Sequence, residues 1–164
     1  MNISIKTLNN SDSKAIVDLI LPIQQLEFGV PITLSDQQDL LAIEEFYIRP
    51  GGNFWGASVE GVLCGTIALV RFSEKSAAIR KMFVKKEFRG KEYSIAAALL
   101  SELINYCKEN DIVNVYLGTV DILKAAIRFY EKKGFLQVDK KDLPTDFPLM
   151  SADNVFCHLT IPQS

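Results

Sequence analysis

The sequence predicts an α+β fold: a mixed, mainly antiparallel sheet of six to seven strands flanked by helices. Three observations predict it. Between residues 53 and 84 apolar residues recur with the short period of strands, broken at Glu60-Gly61 and again before Ser76. From Ser94 onward, Ile95, Leu99, Leu103 and Cys107 recur every fourth residue, with Ala96, Leu100 and Ile104 widening the stripe, as in an amphipathic helix. A strand, that helix and a further apolar run follow in order, which calls for a parallel β-α-β crossover of right-handed sense. At 164 residues the chain can bury one proper core, and residues 1–164 are expected to form a single domain.

The elements follow in the order β-α-α-β-β-β-α-β-α-β-β. Ile3, Ile5 and Leu8 predict a short strand over 2–7, ended by Asn9-Asn10. Ser11 is expected to cap a helix carrying Ala15, Ile16, Leu19, Ile20, Ile23 and Leu26 on one side, bent or split at Pro22. Glu27 to Pro31 reads as a turn. Ser35-Asp36-Gln37-Gln38 is a capping-box pattern that predicts a second helix through about Phe46, closed by Pro50-Gly51-Gly52. Strands are expected at 53–59, 62–72 and 76–84, joined in antiparallel fashion. After the long helix, Asn110-Asp111 is a stop, and 112–117 reads as a buried strand. A further helix is expected from near Asp121, burying Ile122, Ala125, Ala126, Phe129 and Tyr130, with Lys132 and Lys133 at its negative end and Gly134 as its C-cap. Strands at 135–138 and 154–161 complete the order.

Composition narrows the function. The net charge of −2 argues against a nucleic-acid binder. The three cysteines are an odd number without a CxxC spacing and read as reduced, buried thiols of a cytoplasmic protein, with no metal site. The N-terminus lacks an apolar signal core and no run approaches a membrane span, so no membrane association is expected. A nucleotide-binding P-loop is excluded, because G-x-x-x-x-G-K-[ST] does not occur.

One stretch points to chemistry. A strand that turns into a helix leaves backbone N–H groups and the positive end of the helix dipole facing outward, a ready anion site. Lys85, Lys86, Arg89 and Lys91 crowd that turn, with only Glu87 and Glu92 against them. The physics points to phosphate.

The run from Ile79 to Val138 resembles the GNAT family of acyl-CoA-dependent N-acetyltransferases. The pyrophosphate loop of that family reads Q/R-x-x-G-x-G/A, and Lys91-Glu92-Tyr93-Ser94-Ile95-Ala96 stands in its place, preceded by Arg89-Gly90. A second signature, a helix ending in Y-E-K-x-G-F, is present as Tyr130-Glu131-Lys132-Lys133-Gly134-Phe135. The element order matches across nearly the whole chain. Three positions depart: Ser94 replaces a glycine, Lys91 replaces Gln or Arg, and Leu123 replaces an asparagine seven residues before Tyr130.

The resemblance implies the acyl-CoA N-acyltransferase fold and transfer of an acetyl group from acetyl-CoA directly to the primary amine of a small molecule or peptide. Main-chain groups of Met82, Phe83 and Val84 are then expected to pair with the pantetheine arm as an added strand. The segment Arg89 to Ala96 holds the pyrophosphate, with Ser94 offering its N–H, and Phe129 joins the cofactor contacts. Tyr130 protonates the departing thiolate, and Glu27 is the candidate base for the amine. Phe28 and Trp55 are candidate walls of the acceptor site. His158, the lone histidine, reads as structural. The resemblance is compatible with a homodimer. A non-catalytic acyl-CoA-binding or sensor protein of the same fold is the alternative.

Overall fold

The computed structural model describes residues 2–90 and 93–163. Among them seven strands run Ile3–Thr7 (β1), Asn53–Val59 (β2), Val62–Arg71 (β3), Ser76–Val84 (β4), Asn114–Thr119 (β5), Leu136–Val138 (β6) and Val155–Thr160 (β7). Three α-helices run Ser13–Pro22 (α1), Ile95–Glu109 (α2) and Lys124–Lys132 (α3). The sheet order is β1-β2-β3-β4-β5-β7-β6. The mixed, mainly antiparallel sheet expected from the sequence is therefore present. The chain divides into two compact units, Met1–Val70 with Arg80–Ile104, and Arg71–Ile79 with Asn105–Ser164.

In the first unit β1 and β2 pair antiparallel with Thr7 opposite Trp55, and β2 pairs antiparallel with β3 across a bulge at Ala57 and Ser58. Leu8, Ile16, Ile20, Leu40, Ile43, Tyr47, Phe54 and Ala68 form its buried core. Each large apolar side chain in it contributes roughly 1.5–3 kcal/mol of burial. Ile16, Leu19, Ile20 and Ile23 turn inward as expected, whereas Leu26 is exposed.

Two helix expectations need correction here. Ser11 does not cap α1: Asn9 caps the 3-10 turn Asn10–Asp12 that leads into it, its side chain accepting the Ser11 N–H while the Asp12 carboxylate accepts the Asn9 N–H, and Asp12, at the N-cap of α1, makes no side-chain cap bond. The continuous second helix is absent. The segment instead makes 3-10 turns at Leu34–Asp36 and Gln38–Leu41 and a π-turn at Glu44–Ile48. Thr33 and Asp36, not Ser35 and Gln38, form the capping box, and Gln37 leaves helical geometry at φ −138°, ψ 62°. What holds Gln37 there is a buried reciprocal amide pair with Gln24, 2.7 and 3.1 Å. Pro22 ends α1, and the chain runs on through a single π-turn, Ile23–Glu27.

In the second unit Ser76 to Ala78 of β4 pair parallel with Asn114 to Tyr116 of β5, as the crossover requires. The strand β5 starts at Asn114 rather than 112, because the Ile112 N–H still closes the end of α2 on the Cys107 carbonyl. Antiparallel ladders join β5 to β7 and β7 to β6. The α3 helix begins at Lys124, three residues after the expected start, because the Asp121 N–H is held by Asn154 and Leu123 is non-helical. Its inward positions are therefore Ile127 and Tyr130, while Ile122 is exposed. The C-cap is Lys133, one residue before the expected Gly134; the glycine follows it at φ +99° and ends the helix, with the Phe135 N–H reaching back to the Tyr130 carbonyl.

Candidate active site

The turn after β4 is built around Arg89. Its Nε donates to the Val84 carbonyl at 2.8 Å, and its two terminal nitrogens donate to the two carboxylate oxygens of Glu27. The guanidinium also lies 6.0 Å from the centroid of the half-exposed Phe28 ring. Hydrogen bonding to Arg89, set against slight desolvation, holds the Glu27 carboxyl below the usual carboxylate range. Glu27, Lys85 and Lys86 line a groove of about 440 Å³ beside the end of α1.

Ser94 stands at φ +52°, the left-handed region that glycine enters freely and serine does not. Its N–H donates to the Gly90 carbonyl at 3.2 Å, so the donor expected for a phosphate is already engaged. The first intrahelical bond of α2 runs from the Ala98 N–H to the Ser94 carbonyl. The amides of Ile95, Ala96 and Ala97 thus precede the ladder, as the donors of an N-terminal anion site do. Gly90 has φ +131°, Tyr93 packs edge-on against Phe88, and Ile95 is buried. Lys91 and Glu92 lie outside the described residues. Met82, Phe83 and Val84 are half-buried along β4.

Sequence reasoning missed a polar cluster in the same unit. Lys81 has φ +53°, its carbonyl accepts the Thr66 hydroxyl at 2.7 Å, and its ammonium donates to Gln37 Oε1 at 2.6 Å. Asp39 lies 3.7 Å away and accepts the Tyr47 hydroxyl. Burial lowers the Lys81 pKa, opposed by Asp39, and burial raises that of Tyr47. No local pattern announces this cluster, because its members come from residues as far apart as Gln37 and Lys81. Trp55, expected near the acceptor, is buried in β2.

In the second unit Tyr130 is 6% exposed and packs edge-on against Phe129 and Phe135. A buried tyrosine normally spends its hydroxyl on a partner. Among the described residues, none hydrogen-bonds the Tyr130 hydroxyl. Burial first, and then the Cys157 side chain, raise its pKa, so the phenol keeps its proton. Phe129 is half-buried, with the Lys133 ammonium 5.8 Å from its ring. His158 bonds Asn114 Oδ1 at 2.8 Å and stacks on Tyr116, which accounts for it as a structural residue. Among the described residues no cluster of His, Cys, Asp and Glu could hold a metal ion, and no helix is long and apolar enough to cross a membrane.

A family model described as "Acetyltransferase (GNAT) family" matches residues 17–135. The N-acetylaspartate synthetase of Danio rerio is 35% identical over 106 residues, which are 63% of this chain and 37% of that protein. The chain spans about a third of the length of the curated relatives of that name. An acetyltransferase of the GNAT family from Staphylococcus aureus Mu50 superposes with a TM-score of 0.92 at 38% identity, over 98% of this chain and 100% of the other. The fold is shared as well with an N-acetylglutamate synthase from Neisseria gonorrhoeae, complexed with coenzyme A and N-acetylglutamate. Its TM-score is 0.76 at 16% identity, over 99% of this chain and 36% of that one.

Proposed function

The chain belongs to the acetyltransferase (GNAT) family, and from that premise we propose that it is an N-acetyltransferase with acetyl-CoA as its donor and acetylates the primary amine of a small molecule by direct transfer. Residues 1–164 act as one domain in the cytoplasm. The single observation that carries the chemistry is the idle hydroxyl of the buried Tyr130, at the end of the Y-E-K-x-G-F helix. The likeness to an N-acetylaspartate synthetase supports a small amine over a peptide.

In this reading the main chain of Met82, Phe83 and Val84 pairs with the pantetheine arm, and the N-terminus of α2 takes the pyrophosphate. The amine nitrogen attacks the thioester carbon, the new C–N bond forms and the C–S bond breaks. The sulfur leaves as a thiolate, to which the Tyr130 hydroxyl donates; the surplus proton of the amine goes to a base or to water. A tyrosine near pKa 10 protonates a thiol near 8.5 at a cost of about 2 kcal/mol in water, and burial of Tyr130 adds to that. The hydroxyl therefore works foremost as a hydrogen-bond donor that strengthens as charge develops on sulfur.

A lysine-like amine is neutral at pH 7 roughly once in 2,500 molecules, about 4.6 kcal/mol, so the site has to draw off a proton. Glu27 serves that purpose only when its pair with Arg89 opens, since in the pair its basicity is depressed. A pyrophosphate would compete with Glu27 for Arg89 and open it.

The test is thiol release from acetyl-CoA across amino acids, polyamines, aminoglycosides and peptide N-termini, with calorimetric binding of acetyl-CoA alongside. Saturable release with one small-amine class is the expected result. Tight binding without release on any acceptor would return the chain to the non-catalytic acyl-CoA-binding reading.

A further inference from the structure

Lys81 combines two costs that a purely structural residue avoids. Its backbone is left-handed, a conformation unfavourable for any side chain bearing a Cβ. Its ammonium is taken out of water beside Asp39, with side-chain exposures of 13% and 12%. A buried ion pair of this kind is commonly matched or exceeded in stability by apolar residues of the same volume. Both costs fall on the residue immediately before Met82, in the strand assigned above to the pantetheine arm.

The pair is also not closed on itself. Of the three Nζ protons one makes a short bond, to Gln37 Oε1 at 2.6 Å, while Asp39 at 3.7 Å is beyond hydrogen-bond reach. Gln37 cannot turn away, because its amide is locked to Gln24 by two bonds. Asp39 Oδ2 accepts the Tyr47 hydroxyl, and among the described residues nothing donates to Oδ1. The cluster therefore offers spare donors on a cation beside one spare carboxylate oxygen. A ligand that matches it carries an anion and an N–H donor close together.

We propose that Lys81, Asp39 and Gln37 form the acceptor subsite and that the acceptor is an amino acid. The Lys81 ammonium holds its carboxylate, and Asp39 Oδ1 accepts from the amino group that receives the acetyl. This rests on the acetyltransferase reading and names the substrate class of that site.

The experiment measures thiol release from acetyl-CoA by the full chain with L-amino acids, with their α-carboxamides and with phosphoethanolamine, after calorimetry has shown acetyl-CoA binding. The wild type should prefer at least one acid over its carboxamide by about tenfold or more in kcat/KM, the loss expected for one hydrogen bond to a charged group. In Lys81→Met that preference should collapse, through a raised KM for the acid, while acetyl-CoA affinity stays. Lys81→Arg keeps the charge and should retain the preference, and it decides the question if Lys81→Met does not fold. Asp39→Asn should lower turnover of acid and carboxamide alike. A preference that persists in folded Lys81→Met, a preference lost in Lys81→Arg, faster turnover of phosphoethanolamine than of every acid, or acetyl-CoA binding with no amino acid turned over would each overturn the subsite. Absent acetyl-CoA binding would overturn the acetyltransferase reading itself.

Discussion

Arg89 and Glu27 share a two-bond ion pair while Arg89 Nε holds the carbonyl of Val84, so one guanidinium ties the end of α1 to the end of β4. The pair lowers the Glu27 pKa below its ordinary 4.5. A depressed carboxylate contributes stability that is full above its unfolded value and is lost as the pH falls through the lower folded value. The stability gap between wild type and Glu27→Gln in urea unfolding should therefore be level from about pH 6 to 8 and close below about pH 4. Both side chains are about a third exposed, so the gap should stay under about 1 kcal/mol. A gap that ignores pH would mean that the pair does not stabilise the fold.

Ser94 sits where a glycine would be unstrained. Ser94→Gly should raise stability by up to about 1 kcal/mol, the left-handed penalty less the added entropy of an unfolded glycine. Acetyl-CoA affinity should stay within a few-fold. Ser94→Val should lower both, since a β-branched side chain at positive φ is worse still. A drop in melting temperature for the glycine variant would show that the serine side chain holds the turn.

Tyr130→Phe keeps the ring and its edge-on contacts with Phe129 and Phe135 and removes only the hydroxyl. Because no described residue bonds that hydroxyl, melting temperature and acetyl-CoA binding should hardly change. Single-turnover thiol release should fall by about 10²–10⁴. Full single-turnover activity in the folded variant would remove Tyr130 from the chemistry and leave water as the proton donor.

Gly52 is required by space rather than by conformation. A Cβ there would lie 1.9 Å from the carbonyl oxygen of Leu69 and 3.0 Å from that of Tyr47, both backbone atoms that cannot swing aside. Gly52→Ala should lose about 2–3 kcal/mol or more in urea unfolding. A loss under 0.5 kcal/mol would mean that β3 yields freely at that point.

The parts of the fold legible in the sequence were those governed by neighbours along the chain. The strands around Glu60-Gly61, the every-fourth-residue stripe of α2 and the glycine stop of α3 at Gly134 all rest on short-range rules, and all are present. Ser35 and Gln38 satisfied the same kind of rule and misled, because Thr33 and Asp36 make the box two residues earlier and Gln24 pulls Gln37 out of helical geometry. Ile122 misled for a related reason: Asn154, far along the chain, takes the Asp121 N–H and delays α3. Of the site, the Y-E-K-x-G-F helix and the cationic turn were readable. That Arg89 is bound to Glu27 and that Lys81 is drawn in beside Asp39 were not, since each depends on chain segments brought together only by folding.

Cys64, Cys107 and Cys157 are all free and closed off from solvent. Burial raises all three thiols, Cys107 to about 12, and the thiolate is the reactive form. A colorimetric disulfide reagent added to the native chain therefore meets a silent background, and every thiol it titrates during turnover is released coenzyme. The same three sulfurs become reactive when the chain opens. The slow appearance of three equivalents per molecule is then a built-in clock for unfolding, readable in the same cuvette as the reaction.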